Sequence, residues 1–137
     1  MKKFFAALFV ALVFATLAFA APAPMQPGEW LVTTRVEMPG MPVAIPPQTH
    51  TYCYTEQQIK EKKVMPKYPD NCKEQYARVS GNTMSWKVVC NGKGGTMTMT
   101  GTMTSTGTSY TGKSITQMPG GRKMTSDMSG KRTGPCK

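Results

Sequence analysis

The side chains best suited to chemistry in this chain are four cysteines, twelve methionines and a single histidine. Cys53, Cys72, Cys90 and Cys136 are even in number, no C-x-x-C pair occurs, and the closest two stand 18 residues apart. That spacing argues against a four-thiolate zinc site and for two disulfides. Thioethers suit Cu(I), and the pairs Met38/Met41 and Met97/Met99 are the candidate ligands for a copper chaperone or buffer. Against it, methionine also packs irregular cores well, and neither a histidine nor an M-x-x-M cluster lies near Met97. Covalent catalysis needs a nucleophile beside a base, yet His50 stands alone among threonines, and Glu29, Glu37, Glu56, Glu61, Asp70, Glu74 and Asp127 are scattered. No G-x-S-x-G, H-E-x-x-H or P-loop pattern occurs. The expectation is a protein that is not an enzyme and carries no cofactor.

The compartment is easier to read. MKKFFAALFVALVFATLAFA places Lys2 and Lys3 before an apolar run that ends in Ala18-Phe19-Ala20, the form of a cleaved secretory signal peptide. The run is short for a bilayer span and prolines follow at Pro22, Pro24 and Pro27. We therefore expect a signal peptide over residues 1–20, one domain over residues 21–137, export to the periplasm or beyond, and no transmembrane segment after cleavage. All five phenylalanines lie in the signal, and Leu31 is the one leucine left after it. The core must then come from methionine, valine, tyrosine, Trp30 and Trp86. Loss of Lys2 and Lys3 lowers the net charge from +10 to +8. In an exported protein that balance favours anionic envelope surfaces or solubility over nucleic acid, with Lys60, Lys62, Lys63 and Lys67 as the local cluster.

The elements that would position these residues are mostly strands. GEWLVTTRVEM alternates, with Trp30, Val32 and Val36 on one face. MPGMPVAIPP has four prolines and must connect rather than pair. Thr55 can cap a short helix over about 56–63, begun by Glu56 and ended by lysines. In EQYARVSGNTMSWKVVC, a turn at Gly81-Asn82 sets Val79 against Met84 and Ala77 against Trp86. TMTMTGTMTSTGT has the period of a strand, threonine to one side and methionine to the other. About seven strands (28–38, 48–54, 73–80, 83–90, 95–104, 108–117 and 122–131) predict an all-β antiparallel meander, either a small up-and-down barrel or a strongly curved sheet. Trp30, Trp86 and Tyr110 are the largest side chains of the apolar face and the candidate ligand-binding residues of such a fold.

PGEWLVTTRVEMPGMP, TYCYT, NC, SGNTMSWKVVC and SGKRTGPC together resemble the exported bacterial family known as domain-of-unknown-function family 3617, from about Pro27 to Cys136 and with all four cysteines in order. The resemblance implies an exported all-β domain of diderm bacteria and brings no activity with it. Strand placement predicts the cysteine pairing. Cys72 and Cys90 flank the Gly81-Asn82 hairpin and become neighbours if a bulge corrects the register by one residue. Cys53 and Cys136 meet if residues 55–71 cross to the opposite end of the sheet. The functional expectation is an envelope protein that binds a small apolar or amphipathic ligand or a partner protein, with a Met-rich Cu(I) carrier as the alternative.

Overall fold

The computed structural model describes residues 25–137 except Lys62 and Pro66. The expected signal peptide and the first residues of the domain lie outside the described residues. Seven strands are present: β1 (Gly28–Glu37), β2 (Gln48–Tyr54), β3 (Cys72–Ser80), β4 (Thr83–Gly92), β5 (Gly95–Ser105), β6 (Ser109–Gln117) and β7 (Lys123–Gly134). They form one antiparallel sheet in the order β2-β1-β7-β6-β5-β4-β3. From β3 to β7 the chain runs as a meander, and the β1–β2 hairpin joins on the far side of β7. The edge strands β2 and β3 do not pair with each other, so the sheet is open and no barrel closes. Residues 55–71 run from one edge to the other, and their Ile59, Val64, Met65 and Tyr68 pack on the inner face.

Burial separates the two faces most clearly on β4. On β4, Met84, Trp86, Val88 and Cys90 are buried while their neighbours are only half covered. Pairing carries this parity across the sheet through Met103, Gly101 and Met99 of β5 to Gly112, Ser114 and Thr116 of β6. Met128 of β7 packs against the β4 cluster although β6 and β5 intervene. In a flat sheet three strand spacings would separate them by about 14 Å. The sheet therefore curls around its inner face.

The threonine and methionine run is β5. Met97, Met99 and Met103 face inward and are half-buried, while the threonines form part of the outer face, where Thr83 and Thr104 share a hydrogen bond between hydroxyls at 3.0 Å. Gly101 takes an inward slot that the alternation would give to methionine, and a Cβ there would overlap Cζ2, Cε2 and Cη2 of Trp86. The indole lies flat on this bare backbone, as the ring of Tyr110 lies over Gly130. Gly101→Ala forces a fully buried indole to move, and overpacking of this kind costs about 1–3 kcal/mol. We expect urea denaturation to show a loss in that range, and an unchanged midpoint would mean that Trp86 has room the packing does not show.

Two local details differ from the sequence expectation. The helix α1 (Glu56–Lys60) ends earlier than residue 63, part of that span falling on the undescribed Lys62. Its start is as expected: Thr55 accepts from the Gln58 amide and the Gln58 side chain accepts from the Thr55 amide, a reciprocal cap. It stops because the Lys63 amide reaches back to the Gln58 carbonyl, a wider turn than an α-helix makes, which releases Val64 and Met65 toward the core. β7 runs on to Gly134 rather than 131, since Arg132 and Thr133 bond to Pro27 and Glu29 beside the start of β1.

Both disulfides match the expected pairing. β3 slips register between Glu74 and Tyr76, and this bulge sets Cys72 opposite Cys90, with Cα atoms 3.9 Å apart. Residues 55–71 do cross the sheet lengthwise, so Cys53 and Cys136 lie at the same end and are joined with Cα atoms 5.5 Å apart. The bridge fastens edge strand β2 to the tail beyond β7, two segments that flank β1 on either side.

Candidate functional site

The inner face supports two adjoining clusters. One gathers Met25, Trp30, Val32 and Tyr110; the other gathers Met84, Trp86, Val88 and Cys90; Val64, Met103 and Met128 touch both. Trp30 is wholly buried, stacked on Tyr110 with ring centres 5.5 Å apart and meeting Tyr54 edge-on at 6.3 Å. Its indole N–H donates to the Gln26 carbonyl at 3.0 Å, which pins the segment leading into β1. Burial pushes the phenols of Tyr110 and Tyr54 up from their usual values, so both stay neutral. Trp30, Trp86 and Tyr110 do share one face, but as floor: each is at most 6% exposed, and none of them is among the residues that line the cleft beside α1 or the hollow after β1.

The opening at this face is a cleft of ≈ 170 Å³ between residues 59–64 and the β3–β4 turn. Ile59, Val64, Val79, Met84 and Met103 make its walls, Met25 closes it, and Asn82 and Ser105 stand at its edge. Lys60 is the basic group at the rim, exposed and paired with Glu56 at 2.7 Å. A larger hollow of ≈ 460 Å³ lies under the proline-rich connection after β1, but its Met41 and Val43 walls are 46% and 70% exposed, so it is a fold of the surface.

The two copper-candidate pairs sit on different elements, Met38 and Met41 being close enough for the Met41 amide to donate to the Met38 carbonyl at 3.2 Å. Met97 and Met99 pack on the Trp86 cluster as core, while Met38 and Met41 belong to the proline-rich connection. Among the described residues there is no group of three or more His, Cys, Asp or Glu that could hold a metal ion. His50 is exposed on edge strand β2, its ring 6.3 Å from Tyr52. Lys60 holds the Glu56 carboxyl below its ordinary range, and Lys63 with Gln57 does the same for Glu61, but these are solvent-exposed pairs on and just after α1, of little energetic weight.

The pattern of inward aromatics, crossing segment and end-to-end disulfide runs through the described residues, and so does a family match: the model described as "Protein of unknown function (DUF3617)" covers residues 25–136. The chain belongs to this family. The DUF3617 match starts at Met25, which belongs to the Trp30 cluster, and ends at Cys136, which fastens the tail, so it takes in every strand of the sheet. Neither a curated protein nor a solved structure gives a match to this DUF3617 domain. Its cleft residues Met25, Ile59 and Val64 were missed by reasoning from strands. The available signal was a set of apolar residues, Ile59, Val64, Met65 and Tyr68, inside an otherwise lysine-rich connection, each of which needs a surface to cover.

Proposed function

We propose that this protein is an exported, non-enzymatic envelope protein that binds a small apolar or amphipathic molecule in the cleft beside α1. The observation that carries the reading is the cleft itself, walled by Met84, Met103, Ile59, Val64 and Val79 and roofed by one short connection. Two disulfides with no free cysteine among the described residues support an oxidising compartment, the periplasm or cell exterior. Pockets for drug-sized ligands run to about 300–1,000 Å³, whereas an apolar cavity of about 150 Å³ admits benzene. At ≈ 170 Å³ the cleft suits one ring or a short alkyl group. A longer chain would have to project past Lys60, whose charge favours an anionic end there.

Val79 gives a clean test because it lies at the rim, 47% exposed, and a tryptophan there fills the cleft without entering the core. We expect wild-type protein to bind a fluorescent apolar probe such as N-phenyl-1-naphthylamine. Val79→Trp should lower that affinity at least about tenfold while changing stability by less than about 0.5 kcal/mol, as surface substitutions do. If wild-type protein takes up no apolar probe, ligand binding is wrong and recognition of a partner protein becomes the better account.

A further inference from the structure

Two hydrogen-bond donors buried in the Trp86 cluster have no acceptor. The Trp86 indole Nε1 and the Tyr68 hydroxyl are both sealed from solvent without a partner among the described residues, and Trp86 as a whole is 1% exposed. The other indole shows the usual arrangement, Trp30 donating to Gln26. A buried donor left unpaired incurs its full desolvation penalty, and native proteins nearly always avoid that. Both side chains pack in the same cluster, and each donor calls for an acceptor.

That place adjoins the cleft. Met84 and Met103, paired across β4 and β5, form its wall, and Trp86 with Gly101 is the next pair on the same face. Tyr68 reaches the cluster from the crossing connection, as does Val64, which also lines the cleft. Beyond Gly101 the same row continues through Ser114 and Ser126, small hydroxylated residues where a dry core would carry aliphatics. Burial and the Glu74 charge push the Tyr68 phenol up, so its hydroxyl keeps its proton and remains a donor.

We propose that the apolar cleft leads to a polar floor at Trp86 and Tyr68, and that its ligand is a small, largely apolar molecule carrying a neutral carbonyl oxygen, as in a ketone, ester or amide, which accepts from both. This inference rests on the ligand-binding reading above and names the ligand class. A carboxylate fits poorly at that depth. Lys60, the one cation among the described residues that line the cleft, is at the rim and already paired, so a charge beside Trp86 would be buried without compensation, and one at Tyr68 would feel the Glu74 charge.

Acetophenone and ethylbenzene share a ring and differ in the carbonyl, which makes them suitable probes. The ¹H–¹⁵N spectrum of the oxidised protein contains two indole N–H signals, assigned by the one that disappears in Trp86→Phe. We expect acetophenone to move the Trp86 signal and leave that of Trp30 in place, and ethylbenzene to bind without moving the Trp86 N–H as a new hydrogen bond would. Tyr68→Phe should weaken acetophenone about tenfold and leave ethylbenzene unchanged. If both compounds bind and Tyr68→Phe holds acetophenone as tightly as wild type, internal water satisfies the donors; the carbonyl inference then fails while the cleft stands. If neither compound binds, the cleft reading fails and takes this inference with it.

Discussion

Trp30→Ala is expected to destabilise the protein by about 3–5 kcal/mol, the range for emptying a fully packed aromatic site. Whole domains have only about 5–15 kcal/mol of stability, so the variant should stand near the limit of folding. Three losses coincide there. The ring is wholly buried and stacked on Tyr110, its edge meets Tyr54, and its N–H holds the Gln26 carbonyl in place beside Met25. Denaturant unfolding of the oxidised protein measures the effect. A loss below about 1 kcal/mol together with abolished uptake of an apolar probe would show the opposite arrangement, in which Trp30 lines a pocket rather than filling a core.

Removal of the Cys53–Cys136 bridge should be comparably severe. It spans 83 residues, and the chain-entropy relation gives about 4–5 kcal/mol for a loop of that length. The same relation gives about 3 kcal/mol for the 18-residue Cys72–Cys90 loop. The two differ in environment as well: Cys53 and Cys136 are exposed, while Cys90 is buried, with Met97 opposite it on β5. Paired Cys→Ala variants, unfolded in denaturant without reductant, should rank the long bridge above the short one. The reverse order would mean that packing around Cys90 outweighs restriction of the unfolded chain.

Most of the sheet was legible because its signals are local. Period-two alternation locates β1 and β5, the Gly81-Asn82 turn fixes the β3–β4 register, and even the one-residue slip that joins Cys72 to Cys90 follows from counting outward from that turn. Closure was not legible, since whether β2 meets β3 depends on what residues 55–71 do between the edges, and no periodicity in that segment says where it lies. The candidate site was half legible for the same reason. The parity of Trp30, Trp86 and Tyr110 is a property of their own strands, whereas their depth is set by the covering side chains of Ile59, Val64 and Met65. Gly101 breaks the methionine alternation visibly, yet its cause, the indole of Trp86, sits on the neighbouring strand.

The position of β1 between β2 and β7 also bears on the order in which the strands are expected to pair. Thr33 meets Ser129 and Glu37 meets Thr125, so the first strand of the chain finds its second neighbour only in the last. Strands β3 to β7 need only short hairpins to pair, whereas bringing β1 to β7 must first overcome the entropy of closing nearly the whole chain into a loop. A polypeptide that emerges N-terminus first from a ribosome therefore holds β1 and β2 without their β7 neighbour until β7 has emerged. We expect the β3–β7 meander to pair first, the β1–β2 hairpin to dock onto it later, and the Cys53–Cys136 bridge to hold the docked hairpin; pulse-labelled hydrogen exchange that protected β1 before β3–β5 would overturn this order.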